Sequence, residues 1–281
     1  MLRKGIALAA LGLALVSGPA FAENTQAEMR PTEFSFEGPF GKFDQAQLQR
    51  GYKVYREVCS ACHSMNLMAF RNLGQKGGPF FDPKYPKPND NPYVKAIAAD
   101  YQINDIDGDT GDVIQRPGTP ADHFPAPFPN EPAARASNGG ALPPDLSVIA
   151  MARHHGAHYI YSLLTGYKDA PKGLDVPPGK HYNPYFSGDL STSWSGPHDK
   201  VPVGGLIAMP PPLEADKVSF DDGTKSTLDQ EAKDVAAFLA WAAEPKMEER
   251  KEFGLAAMIY LFIFAGLLYA SYRRIWRNVA H

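Results

Sequence analysis

The chain has two cysteines among its 281 residues, and they stand three apart in "REVCSACHSM" as Cys59 and Cys62, with His63 directly after them. Each chemistry that uses paired thiols demands different surroundings, so this run narrows the fold sharply. A thioredoxin-like C-x-x-C needs a βαβ context and a helix N-terminus that lowers one thiol pKa, and neither is visible here. A structural zinc site needs four ligands, usually with a second Cys/His pair, and there is no third cysteine to supply one. Covalent haem attachment needs what is present. Two thiols make two thioether bonds, and the same tether brings the adjacent imidazole to the iron. The run predicts one covalent haem c on Cys59 and Cys62, with His63 as the proximal iron ligand.

The residues before it read as a helix. In "DQAQLQRGYKVYREVCSACH", Leu48, Tyr52, Tyr55, Cys59 and Cys62 recur at steps of four and three, one face of an α-helix. Asp44 followed by Gln47 has the form of a capping box that starts it. The expectation is a helix that carries both thiols on its apolar face.

The two ends place the chain at a membrane. "MLRKGIALAALGLALVSGPAFA" has Arg3 and Lys4 before a short apolar stretch and a small-x-small ending at Ala22, the pattern of a cleaved signal over residues 1–22. Near the C-terminus "FGLAAMIYLFIFAGLLYASY" runs for twenty residues without a charge, about 30 Å of helix and enough to cross a bilayer core. Tyr269, Tyr272 and Trp276 stand near its exit as interfacial aromatics do, and Arg273, Arg274 and Arg277 follow with no acid among them. By the positive-inside rule, residues 23–252 form an exported domain, 253–272 the transmembrane anchor and 273–281 a cytoplasmic tail.

Charge sharpens the list of partners. Setting aside Arg3, Lys4, Arg273, Arg274 and Arg277 takes the formal charge from −3 to −8. Residues 90–145 hold nine acids against three bases, and residues 213–244 hold eight against three. Such an exterior excludes nucleic acid and would steer a basic soluble partner.

Between the ends, residues 79–132 carry eleven prolines and read as a long ordered loop region rather than regular elements. Within them "DIDGDTGD" fails as a calcium loop, because Thr110 stands where glycine is required and Arg116 where glutamate is required. It reads as an acidic surface loop. "PPDLSVIAMARHHGAHYIYSLLTGY" looks helical, with Asp145 as its cap, a break at Gly156 and an end at Gly166. His154, His155 and His158 within it read as solvent-facing rather than as a metal site. A last soluble helix spans about 227–244, opened by Thr227 and Gln230 and stopped by Pro245. No G-x-S-x-G, P-loop or H-E-x-x-H pattern occurs, so nothing points to hydrolysis or phosphoryl transfer.

An electron carrier requires a second axial ligand opposite His63. Met65 and Met68 lie too close in sequence to reach the far ring face, Met29 precedes the domain, Met247 lies in the charged linker and Met258 within the membrane span. Met151 sits on an apparent helix face, where a core role fits better. Met209, in "GGLIAMPPPL", lies in a segment that its glycines and prolines make extended and stiff, suited to holding a thioether against iron. His154, His155 or His181 is the rival choice.

The chain resembles the cytochrome c1 family of haem subunits from ubiquinol–cytochrome c oxidoreductase, in its bacterial form. The resemblance covers most of the mature chain. It rests on "FDQAQLQRGYKVYREVCSACHSM", "GALPPDLS", "ARHH", "YIYSLLTGY", "YNPYF", "AMPPPL" and "DDGTKSTLDQEAKDVAAFLAWAAEP", together with the single C-terminal anchor. It implies a mainly α c-type haem domain with long Pro-rich loops plus one C-terminal transmembrane helix. It implies haem on Cys59 and Cys62, His63 and Met209 as axial ligands, and Arg153 and Tyr159 beside the haem. It also implies a subunit of the bacterial cytoplasmic membrane, its haem domain periplasmic, in a complex with cytochrome b. Electrons would come from the Rieske iron–sulfur protein and pass to a soluble c-type cytochrome, with no bond-making chemistry in the polypeptide. A free-standing anchored c-type donor to an oxidase or reaction centre is the alternative. Some bacterial members carry an extra disulfide ahead of the methionine loop. This chain has no cysteines for one, so the loop's rigidity must come from packing and prolines.

Overall fold

The structure, a computed structural model, describes residues 26–278. The predicted signal segment 1–22 and the last three residues of the tail lie outside them. The described residues are mainly α, with six helices and two small two-stranded sheets.

Helix α1 (Gln45–Glu57) starts as expected, with the Asp44 carboxylate accepting from the Gln47 amide at 2.9 Å. It stops sooner than expected. Val58 leaves helical geometry at φ −120° and ψ −60°, and Cys59–Ala61 forms a 3₁₀ turn. The Ser60 hydroxyl donates to the Arg56 carbonyl at 2.6 Å, a local bond that competes with the helical ladder. Cys59 is therefore half-buried and Cys62 exposed, so the two thiols do not share one helix face.

The prolines of 79–132 organise regular structure rather than preventing it, which corrects the loop expectation. Helix α2 (Pro92–Ala99) and helix α3 (Glu131–Ser137) each carry proline in the first turn, where its missing N–H costs nothing. Asn91 and Asn130 cap them, accepting from the Tyr93 and Ala133 amides at 2.9 Å each. Between them β1 (Gln102–Ile106) pairs antiparallel with β2 (Val113–Pro117), and "DIDGDTGD" becomes the connecting turn. Arg116 holds this hairpin to the domain, with Nη1 and Nη2 at 2.7 and 2.9 Å from Asp122 and Nε at 2.6 Å from Asp105. Bonding from the Arg116 guanidinium holds the Asp122 carboxyl well below the usual carboxylate range. Its contribution is therefore present above about pH 3.9, the pKa of an unfolded Asp, and is lost as pH falls further. Arg116→Gln is expected to speed hydrogen exchange of the β1–β2 amides at neutral pH while leaving α1 protected.

Helix α4 (Gly156–Thr165) is shorter than the sequence implies. Residues 145–155 form irregular turns, because Asp145 spends its carboxylate elsewhere and His155 adopts φ +65°, which no α-helix accepts. Strand β3 (His181–Asn183) pairs with β4 (Gly205–Ile207) just ahead of the methionine loop.

Helix α5 (Leu228–Ala243) is capped by Thr227, which accepts from the Gln230 amide at 3.1 Å. It crosses α1, and together they form the centre of the core. Phe238 and Trp241 of α5 are fully buried, with Leu48 and Val54 of α1 against the same cluster. The helices approach closest at Gly51, where a Cβ would lie 2.1 Å from the Asp234 carbonyl oxygen. Asp234 is itself buried, and is satisfied by Arg50 Nε at 2.7 Å, Gln230 at 2.8 Å and Gln47 at 3.1 Å. A buried carboxylate is tolerated when its charge is paired and its lone pairs are filled in this way.

Helix α6 (Met247–Trp276) spans thirty residues, with a mean hydropathy of 2.1 in its most apolar window and none of that window buried. It is long and apolar enough to cross a membrane. Its first turns are tied to the N-terminal strap: Lys251 Nζ donates to the Phe36 and Gly41 carbonyls at 2.6 and 3.2 Å, and the Phe43 amide donates to Glu248 at 2.8 Å.

Candidate haem site

The turn that ends α1 delivers Cys59, Cys62 and His63 to the surface of the main core. Burial, with some help from Cys62, pushes the Cys59 thiol up to about 12. A thiol held protonated in this way is a poor redox nucleophile, which argues against the thioredoxin-like reading. Among the described residues no group of three His, Cys, Asp or Glu side chains is placed to hold a metal ion.

His63 Nδ1 lies 2.8 Å from the Pro144 carbonyl oxygen. A carbonyl can only accept, so Nδ1 carries the proton, and Nε2, which makes no hydrogen bond among the described residues, keeps its lone pair. Burial lowers the imidazole pKa, against opposing pulls from Pro144 and Asp145. The outcome is a neutral, oriented imidazole, the state required of an iron ligand.

Pro144 is held in place by its successor. Asp145 accepts from the Ser64 hydroxyl at 2.9 Å and the Asn66 amide at 2.8 Å on one oxygen, and from the Ser147 amide at 2.8 Å on the other. Burial works to raise its pKa, but these bonds outweigh burial and hold the carboxyl below its ordinary value. The Leu146 amide donates to the Ser64 carbonyl at 2.8 Å, and the Leu67 amide to the Ser147 hydroxyl at 3.0 Å. Asp145 is thus a cross-link between two segments, not the helix cap that the sequence suggested.

Met209 follows β4, half-buried against the same core cluster that Cys59 contacts. Its backbone carbonyl accepts from the Tyr167 hydroxyl at 3.0 Å. The β3–β4 ladder fixes the chain two residues earlier, and Leu213 is buried beyond the prolines. Gly204, at φ +104°, makes the sharp entry, and a Cβ there would meet Pro184 Cα at 2.4 Å. Packing and backbone pairing therefore supply stiffness without a disulfide. Tyr167 escaped the sequence reading, because nothing in "TGY" marks a tyrosine that braces a distant loop.

Tyr159, on α4, is buried in the main cluster, and burial raises its pKa while the nearby Arg153 charge opposes the rise. The structure therefore brings Arg153 and Tyr159 together. Of the rival histidines, His154 and His155 are exposed, and His181 belongs to β3 with its ring 6.4 Å from that of Tyr167. Met151 is 67% exposed on a non-helical turn, which corrects its assignment to the core.

Several observations fit a large flat apolar cofactor. His63 presents an unengaged Nε2, two thiols stand beside it, and Leu67, Leu142, Val148 and Met151 are exposed apolar side chains on or near the cross-linked segments. Apolar side chains left uncovered together in this way mark a ligand surface. In the acidic run 105–112, Asp107 accepts from the Asp109 and Thr110 amides at 2.8 and 3.1 Å, and Asp105 pairs with Arg116.

Comparison with known proteins places the whole chain. The Cytochrome C1 family matches over residues 34–279. Cytochrome c1 of Rhodospirillum rubrum is 41% identical over 292 residues, covering 98% of this chain and 97% of that protein. Cytochrome b/c1 of Bradyrhizobium diazoefficiens is also 41% identical over 98% of this chain, which spans only 40% of that longer protein. The mitochondrial cytochrome c1 heme protein of Saccharomyces cerevisiae is 45% identical over 229 residues, 81% of this chain and 65% of that protein. The chain belongs to the cytochrome c1 family.

Proposed function

We propose that this chain is the electron-exit subunit of a bacterial ubiquinol–cytochrome c reductase, accepting electrons from the Rieske iron–sulfur protein and donating them to a soluble c-type cytochrome. The observation that carries this reading is the His63–Pro144 bond, which leaves a neutral imidazole with Nε2 free beside two thiols. Cys59 and Cys62 would hold one haem c by thioethers, with His63 and Met209 as axial ligands. When bound, the haem supplies a reversible one-electron change at iron, and the polypeptide makes and breaks no bonds.

This chain's residues set the conditions for that change. Pro144 fixes the His63 tautomer, and Tyr167 with the β3–β4 ladder holds the Met209 thioether in a stiff loop. Arg153, an exposed cation near Tyr159, is suited to a cofactor carboxylate at the site's edge. The acidic surface favours a basic acceptor and repels nucleic acid. Cytochrome b is the expected membrane partner. Helix α6 would anchor the chain in the cytoplasmic membrane as a single pass, and Arg273, Arg274 and Arg277 favour a cytoplasmic C-terminus with a periplasmic haem domain.

The test is co-purification from membranes in mild detergent. A b-type haem spectrum, a Rieske EPR signal and quinol-driven reduction of added cytochrome c should travel with the chain. A c-type haem that comes away alone with full redox activity would assign the chain to a free-standing anchored carrier instead.

A further inference from the structure

We propose that Asp145 is a positioning residue for the iron-ligating imidazole, locking Pro144 against the His63 segment and thereby fixing the ligand's orientation. This rests on the reading of His63 as a haem ligand. The carboxylate is the one group that bonds both segments through both of its oxygens. Oδ2 receives the Ser64 hydroxyl and the Asn66 amide, on the strand that leaves His63, and Oδ1 receives the Ser147 amide on the strand that leaves Pro144. Two further bonds, Leu146 amide to Ser64 carbonyl and Leu67 amide to Ser147 hydroxyl, complete a five-bond clamp immediately beside the 2.8 Å His63–Pro144 contact. Ser147 is buried, so that end of the clamp lies within the domain, while Asp145 itself is partly exposed.

Pro144 has no amide N–H of its own through which it could be held. It is also flanked by a second proline, so its carbonyl is aimed by what binds the residues after it. Partners one step beyond a metal ligand set its orientation and its basicity. Here the second step is a backbone carbonyl, and the third is a carboxylate that fixes where that carbonyl points.

The sign of the effect follows. Hydrogen bonding from Nδ1 to a carbonyl enriches the imidazole in electrons and favours oxidised iron, as does a fixed negative charge nearby. Asp145→Asn has one acceptor oxygen for two strands and no charge, so it slackens the clamp and removes the charge together. Both changes raise the midpoint potential.

The experiment uses the full chain in detergent. Covalent haem is first verified on the wild type by its alkaline pyridine spectrum; its absence would overturn the proposed function itself, and this inference with it. With haem present, Asp145→Asn is expected to shift the redox equilibrium about tenfold toward the reduced form, about 59 mV for one electron. It should also change the low-spin ferric EPR g-values, which report axial-ligand orientation. Ser64→Ala keeps the charge and removes one clamp bond; it should change the g-values with a smaller potential shift, and it serves if Asp145→Asn fails to accumulate. Asp109→Asn, on the exposed hairpin turn, should change neither. Unchanged g-values in haem-bearing Asp145→Asn or Ser64→Ala would overturn the positioning role. So would a potential shift that Asp109→Asn reproduces.

Discussion

Replacing Met209 with Leu is expected to lower the midpoint potential of the bound haem by on the order of 0.1–0.3 V, within the roughly 0.8 V that axial ligation spans. Thioether–histidine ligation favours reduced iron, and leucine fills nearly the same volume without offering a lone pair. The surroundings keep the loop where it is. The β3–β4 ladder precedes it, Tyr167 bonds the backbone carbonyl rather than the side chain, and Leu213 is buried beyond it. Substitution of the side chain therefore removes a ligand and little else. Carbon monoxide should then bind the reduced variant readily and the wild type poorly. Met258→Leu is the control, since Met258 is exposed on α6, away from the site. Potentiometric titration of both decides the matter: a midpoint left unmoved by Met209→Leu excludes Met209 as ligand.

What the sequence made legible follows the range of the forces involved. Both helix starts, at Asp44 and Thr227, were readable because a cap is a contact three residues long. The apolar C-terminal helix was readable from composition alone. The end of α1 was not, because the apolar spacing continues through Cys62 while the backbone is bent by Val58 and by the Ser60 hydroxyl. The prolines of 79–132 were counted as breakers, yet two of them start helices, a distinction that depends on the asparagine capping each. Within the candidate site, the thiols and His63 form one contiguous motif and were plain. Pro144, Asp145 and Tyr167 reach their partners across 81, 79–81 and 42 residues, separations at which one sequence carries no pairing information.

Gly51→Ala should carry an overpacking cost of about 3 kcal/mol, the upper end of the ordinary range. An added methyl would sit 2.1 Å from the Asp234 carbonyl oxygen and 2.7 Å from Phe238 Cβ, so one helix backbone must move. Neither is free to do so. Asp234 is bound by Arg50, Gln47 and Gln230, and Phe238 is fully buried between Tyr52 and Trp241, with ring centroids 5.7 Å from each. Alanine's better helix propensity returns only about 1 kcal/mol. For a domain of this size the net loss of about 2 kcal/mol lowers the melting temperature by roughly 4–8 °C. The displacement also has a direction that matters for function. Cys59, Cys62 and His63 follow the end of α1 within a few residues, and the 144–147 segment grips only their far side. A shifted α1 therefore pulls His63 against the Pro144 contact, and the haem of Gly51→Ala should be altered in spectrum before the chain melts. Gly108→Ala, at a position where a Cβ meets nothing within 4 Å, should leave both melting and spectrum unchanged. A melting temperature for Gly51→Ala within a degree or two of wild type would mean that α1 and α5 are not in rigid contact there, and that the helix crossing does not set the position of the site.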